Sequence, residues 1–352
     1  MQPPYASDAE VEFYVNRILQ LAQDYEFRSY TIGTRLKLDL AEEQALVVRH
    51  NLNLRVALAV LDRMPDRDPM PRASDIIFLL DYPGHEVEAV PSAVFVYGRY
   101  LKLARNLPQS RWLCSHCRGT GRKHGTGCTH CGGTGKLYQE SVEEAIAPPL
   151  VAAFCAQGNK LHATGRQDVD VRMLGRGRPF AMELLQPRRR SADLAAIERQ
   201  INTSQAAVAV RELRIVDRQL VLLVDTVRAD KSYRALVKCA RPVGPDDLAQ
   251  VEALAGVEIQ QLTPQRVAHR RADKLRPRKL KSVQARLVDG SQGRFELDVL
   301  TESGTYIKEL ISSDGGRTRP SIAETLGASC ICEELDVLDV HFDPFAPSGP
   351  AQ

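Results

Sequence analysis

Cys114 and Cys117 in CSHCRGTG, and Cys128 and Cys131 in CTHCGGTG, set out a C-x2-C-x10-C-x2-C spacing. Two such knuckles can bring four thiolates to one tetrahedral ion, and the ion that suits this donor set is Zn²⁺ in a closed, structural site. The glycines after each second cysteine let the backbone turn tightly around the sulfurs. Two disulfides would be the competing use of four cysteines. The amino terminus MQPPYASDAEVEFY has neither a basic start nor an apolar signal-like core, so nothing points to an oxidising compartment. A redox C-x-x-C explains one pair at a time, whereas paired knuckles explain all four. His116, His124 and His130 are then spare, exposed to solvent or facing RNA, with ligand exchange the weaker alternative. Cys155, Cys239, Cys330 and Cys332 lie scattered in apolar context and read mostly as core residues.

The cysteine segment divides the chain. At 352 residues, 43% hydrophobic and 26% charged, there is room for two or more globular domains around it. No apolar run approaches the ~20 residues that span a bilayer, and a cytoplasmic location with no membrane partner is expected. Residues 1–110 read as an α/β accessory domain. DAEVEFYVNRILQLAQDY, after an Asp8 cap, and LAEEQALVVRHNLNLRVALAVLDRM carry helical spacing, and RSYTIGTRLKL, SDIIFLLDY and SAVFVYGRYLKL read as strands. Residues 111–139 form the zinc-binding module. Residues 140–345 open on a helix, with Ser141 and Glu144 in capping-box spacing. They continue as strands LVLLVDTV, ALVKCA, GRFELDVL and CICEELDVLDVHF with helices SADLAAIERQINTS and PDDLAQVEALAG. The pattern predicts an α+β fold: a mixed, mainly antiparallel sheet with helices on it.

Three segments of this last region carry chemistry. GRQDVDVRMLGRGRP concentrates Asp168 and Asp170 among Arg166, Arg172, Arg176 and Arg178. An extended run would place Arg166, Asp168, Asp170 and Arg172 on one face, with Asp170 anchoring Arg172 or Arg178. TPQRVAHRRADKLRPRKLK packs Arg266, Arg270, Arg271, Lys274, Arg276, Arg278, Lys279 and Lys281 against the single acid Asp273, and His269 and the prolines shape it into a loop. Such a run attracts phosphate, so a polyanion, RNA above all, is the expected partner, although the net charge of +3 is too small to prove one. PRRR at 187–190 adds a second cluster. Tyr233 in VRADKSYRALVKC and Tyr306 with Lys308 in ESGTYIKELIS supply aromatic rings and a cation; an extended Gly304–Leu310 segment would put Tyr306 and Lys308 on one face.

The knuckles, read C-x-x-C-x-G-x-G, are similar to the cysteine-rich repeats of DnaJ-type chaperones, but two repeats stand where that family has four, and its HPD loop is missing. A wider set of segments, GRQDVDVRMLGRGRPF, RADKSYRALV, TPQRVAHRRADKLRPRK, ESGTYIKELI, GRTRPSIAETLG, LDVLDV and YGRYLKLARNLPQSRW, resembles the archaeal and eukaryotic tRNA pseudouridine synthases that act on T-loop uridines 54 and 55. This resemblance covers about residues 90–342. Residues 1–90 resemble that family's accessory RNA-binding region, which contains a THUMP-like fold. The paired-cysteine module that many archaeal members carry near the amino terminus is missing there.

The resemblance implies a pseudouridine-synthase-like catalytic domain that isomerises uridine in the tRNA T-loop without an organic cofactor or an obligatory protein partner. It implies that Asp168, matched to G-R-x-D, is the essential carboxylate, as nucleophile or as base at the ribose. Lys308 would be the basic residue paired with it. Tyr233 would pack on the target base and assist proton removal at C5, Tyr306 would form a second aromatic wall, and Leu326 an apolar floor. Arg166 would fill the space the uridine leaves on flipping. Arg266, His269, Arg270, Arg271, Lys274 and Arg276 would bind tRNA backbone rather than uracil. A non-catalytic zinc-containing RNA-binding protein is the alternative. It explains the cysteines and the basic loop but not the combination of Asp168, Tyr233 and Lys308.

Overall fold

The computed structural model describes residues 5–270 and 272–346, apart from the side chains of His269 and Arg270. Its amino-terminal unit begins with the helix Asp8–Ala22. The cap is Ser7, one residue before the expected Asp8: Glu10 N–H donates to Ser7 Oγ at 3.2 Å while Ser7 N–H donates to Glu10 at 2.7 Å. The helix Glu42–Arg63 buries Val48, Leu52, Val56 and Val60 at four-residue spacing. Both helices share one core with a four-stranded sheet in which Ser29–Leu36 and Ile76–Tyr82 run parallel. Glu86–Pro91 closes one edge antiparallel and Asp68–Pro69 the other. The α/β expectation for this part therefore matches the fold.

The boundary at residue 110 does not match it. The strand Val94–Lys102 leaves this unit and enters a second, larger sheet, between Arg172–Leu185 and Val208–Val216. It has neighbours on both edges and buried residues on both faces, among them Val96, Tyr97, Tyr100 and Lys102. Such a strand needs covering layers on both sides, which the small unit does not provide. The division falls between Pro91 and Val94.

The large sheet has ten strands. From one edge they run Val208–Val216, Val94–Lys102, Arg172–Leu185, Cys330–Val340, Lys231–Cys239, Arg294–Thr301, Arg276–Asp289, Glu258–Gln261 and Thr318–Arg319, with Gly158–Ala163 pairing off Arg172–Leu185. Cys330–Val340 lies parallel to Arg172–Leu185, and the other pairs are antiparallel. This is the mixed, mainly antiparallel α+β sheet that the pattern predicts. The helices Val142–Ala153 and Leu194–Ser204 share its core. LVLLVDTV, expected as a strand, is instead part of the helix Arg218–Thr226. Asp217 accepts the Leu220 N–H at 2.9 Å and starts the helix there. Val221 and Val224 face inward while Leu222 and Leu223 stay exposed, so the short apolar run was ambiguous between the two periods. Among the described residues no helix is long and apolar enough to cross a membrane.

Two further differences position the site. Residues 165–171 are a loop, and the strand starts only at Arg172. The Gly304–Leu310 stretch is not extended: Ile307–Ser312 is a short helix that buries Ile307, Leu310 and Ile311, with Tyr306 at its amino end.

Candidate active site and metal centre

The 164–171 loop is held by its own carbonyls. Arg178, 2% exposed, donates to Thr164 O at 2.7 Å and Gly165 O at 3.2 Å. Lys102, fully buried, donates to Asp168 O at 3.1 Å, Val169 O at 2.9 Å and Leu107 O at 2.8 Å. Arg105 takes Asp170 O at 3.1 Å, and Gln167 reaches Val171 O at 2.9 Å. A loop this poor in backbone ladder bonds would otherwise bury unpaired oxygens. The nearby cations thus serve mainly to fix backbone and leave the two carboxylates facing outward.

Asp168 and Asp170 then take different partners from those expected. Lys308 Nζ lies 2.6 Å from Asp170, not on Asp168. Arg172 pairs with Asp336 through two bonds of 2.9 and 2.6 Å, and Arg178 goes to the carbonyls, so neither is anchored by Asp170. The cause is the loop: without strand alternation the two acids do not share a face with Arg172. Burial works against ionised Asp170, but the Lys308 ammonium outweighs it and holds the carboxyl below its ordinary range.

Asp168 is paired with Arg266, at 3.0 Å. The first arginine of the basic segment is therefore drawn into the carboxylate cluster. Arg266 is held from behind by Glu309, at 2.6 Å, and its guanidinium lies 6.0 Å from the centre of the Tyr306 ring. Glu309 is 5% exposed, and among the described residues its second oxygen has no hydrogen-bond partner. Burial pushes the Tyr233 phenol up to about 12; Arg178 opposes the rise and Asp168 adds to it. Asp168, Arg266 and Tyr306 thus come together, Tyr233 packs against the main core, Arg166 is exposed in the same loop as Asp168, and Leu326 is buried in the main core.

The sequence reading missed Glu309, Lys102 and Lys231. Glu309 lies next to Lys308 in the tyrosine segment, but nothing local marks it as a partner for Arg266. Lys231, two residues before Tyr233, is 9% exposed, with its Nζ 3.7 Å from where a Cβ on Gly165 would sit. Burial, helped by Arg178, lowers it to about 8. In the basic segment, Lys274 is exposed and Arg276 donates to Thr263 at 2.9 Å. His269 and Arg270 side chains, and Arg271 entirely, lie outside the described residues.

The four knuckle cysteines come together with their sulfurs all within 4.8 Å of one another, and could hold a metal ion. The two knuckles mirror each other: Gly119 N–H donates to Cys114 O and Gly133 N–H to Cys128 O, while Thr120 and Thr134 cap Cys117 O and Cys131 O. Gly121 and Gly135 have φ of +70° and +74°, and a Cβ on either would lie 2.2–2.3 Å from a carbonyl of the opposite knuckle. The spacing of cysteine and glycine is what allows this close approach. No acidic residue occurs in 111–138, so the donor set is four thiols alone.

The chain's residues 95–341 match the family model described as Pus10, C-terminal. Over 339 residues it is 41% identical to the tRNA pseudouridine synthase Pus10 of Archaeoglobus fulgidus, covering 94% of this chain and 92% of that protein. The Pus10 protein of Methanocaldococcus jannaschii is 38% identical over 97% of this chain and 74% of its own length. Among solved structures, a Cbf5–Nop10–Gar1 complex matches 68% of this chain and 47% of that chain, at 20% identity and a TM-score of 0.35. A pseudouridylate synthase matches 68% and 61%, at 16% identity and a TM-score of 0.24.

Proposed function

Since the chain belongs to the Pus10 family of tRNA pseudouridine synthases, we propose that it isomerises uridine 54, uridine 55 or both in the tRNA T-loop, with Asp168 as the catalytic carboxylate. The observation that supports this reading is the Asp168–Arg266 pair at 3.0 Å, with the Arg266 guanidinium 6.0 Å from the centre of the Tyr306 ring. The reaction breaks the bond from uracil N1 to ribose C1′, turns the base, and joins C5 to C1′; the C5 proton leaves to a base and N1 takes up a proton, so the product is an isomer of uridine. It needs no external oxidant or acceptor.

A carboxylate serves either as nucleophile at C1′ or as base at the ribose, and in both roles must be ionised and fixed. Arg266 supplies the opposite charge, and buried Glu309 keeps Arg266 from swinging into solvent. In this reading the rings of Tyr306 and Tyr233 pack on an extruded uracil. With its proton held up to about 12, Tyr233 acts at neutral pH as a neutral hydrogen-bonding wall rather than as a preformed base. Arg166 fills the gap left in the T-loop. Lys274 and Arg276, with His269, Arg270 and Arg271 of the same segment, bind backbone phosphate.

Cys114, Cys117, Cys128 and Cys131 bind Zn²⁺ in this reading. Four thiolates leave no open coordination position, so the ion's contribution is to hold the module's fold. The direct test of function is to incubate purified protein with an unmodified tRNA transcript and map pseudouridine by carbodiimide-dependent primer extension. Stops at 54 or 55 support the proposal; tRNA binding without any product contradicts it.

A further inference from the structure

The catalytic machinery makes no use of the outer face of the cysteine module. Residues 111–138 contain five Lys or Arg and no Asp or Glu, in a chain whose net charge is only +3. A divalent ion in four thiolates leaves a dianion, and these cations outweigh it. Arg111 and Lys136, at the base, share Glu144 of the following helix as their ion-pair partner. Arg118, Arg122 and Lys123 are exposed, and among the described residues none of them is in an ion pair. Arg122 and Lys123 form one arm of a small hairpin with Thr126–Gly127. Beside them the exposed rings of His116 and His130, one from each knuckle, stack at 4.0 Å with planes 14° apart.

The module is also planted next to the site. Its stalk is the Leu113–Lys136 bridge with the Trp112 and Tyr138 rings edge to face at 5.5 Å. Just before that stalk, Gln109 donates to Gly165 O at 3.3 Å, and Leu107 O takes the same Lys102 ammonium that fixes Asp168 and Val169. Three cations without an ion-pair partner among the described residues, on a module whose four thiols could hold a metal, are therefore tied to the loop that carries Asp168. A solvated surface of ordinary composition would intersperse acids among them.

We propose that this face, Arg118, Arg122 and Lys123 with the His116–His130 stack, is a second RNA-binding surface that grips the substrate's sugar–phosphate backbone beside the flipped uridine. The inference rests on the proposed function, since it takes RNA as the substrate. It gives the module a role beyond holding its own fold: the ion and the paired glycines present cations to phosphate at a fixed distance from Asp168.

The test is the zinc-loaded full chain carrying Arg118→Gln, Arg122→Gln and Lys123→Gln together, with the single Lys123→Glu variant as a second probe at the hairpin. Affinity for an unmodified tRNA transcript is measured across a salt series, with metal content read on the same samples. We expect affinity of the triple variant to fall about tenfold or more and its salt slope to become shallower by about 2 to 3, at full metal content. The single reversal should weaken binding in the same sense. Wild-type affinity and slope in both variants would overturn the proposal, and so would a loss in the triple variant that tracks metal loss while Lys123→Glu binds normally. If wild-type protein binds the transcript but makes no pseudouridine, the functional reading fails alone, because the salt series still reports the surface.

Discussion

Glu309 and Arg266 form the part of the centre with the clearest separable effect. Arg266 is about two-fifths exposed and Asp168 similarly open, so their attraction is screened and gives little overall stability. Its value is in geometry, which Glu309 enforces from a nearly buried position. Glu309→Gln keeps the shape but removes the charge that holds the guanidinium. We expect kcat to fall roughly 10- to 100-fold, as losing one charge-assisted bond of ~1.5–3 kcal/mol implies, with tRNA affinity largely kept. Arg266→Gln should give a similar loss, and the double variant little more than either, because both act through one contact. Tyr233 makes a second prediction at this scale. Its phenol keeps its proton until about 12, so it does not titrate between about pH 6 and pH 9. Tyr233→Phe should therefore lower the rate without changing the shape of the pH–rate profile over that range; a lost alkaline limb would contradict this. The cysteines were readable because pairs separated by two residues declare themselves locally. The Arg266–Asp168–Glu309 chain was not, since its members come from three separate segments and only the fold joins them.

At the level of elements, the loop 164–171 and the short helix Ile307–Ser312 explain both the strength and the failure of the sequence reading. Both segments were read with a period of two. Val169, Val171 and Met173 alternate as in a strand, yet the carbonyls here are claimed by Lys102, Arg105 and Arg178 from neighbouring strands and their connections, and no sequence window contains those donors. In TYIKELIS, six helical residues are too few for periodicity to separate helix from strand. Lys102 makes the testable case. Its fully buried ammonium satisfies three carbonyls that the substitution would leave unpaired, so Lys102→Met should cost about 3 kcal/mol or more of unfolding free energy. It should also release the Asp168 loop and remove most activity. Denaturant unfolding and initial rates on the same preparation check both; unchanged activity would mean the loop is held elsewhere.

Across the whole molecule, the α+β sheet, the amino-terminal α/β unit and the cysteine module were legible from patterning. The attachment of Val94–Lys102 was not, because a strand's sequence shows how buried it is but not which sheet buries it. The small unit is tied to the large one through Arg190, which pairs with Asp75 at 3.0 Å and donates to Ser92 O, and through Glu26 accepting the Arg190 N–H. The PRRR cluster thus spends at least one arginine on joining the units rather than on RNA. The module should carry one metal ion per chain, measurable by elemental analysis after purification without chelator. A Cys114→Ser, Cys131→Ser double variant should lose the ion and the module's order; retained stability without the ion would show that the four thiols have no structural role.

The assignment that everything else depends on is which of two neighbouring carboxylates performs the chemistry. Asp168→Asn and Asp170→Asn, compared as folded proteins with measured tRNA affinity, should differ sharply when pseudouridine is mapped in the same transcript. Asp168→Asn should bind tRNA and make none, because an amide neither attacks C1′ nor takes a proton. Asp170→Asn should only lose the Lys308 contact and keep partial activity. Robust turnover by Asp168→Asn, with Asp170→Asn folded and inactive, would contradict the assignment and make the Lys308-paired carboxylate the catalytic one.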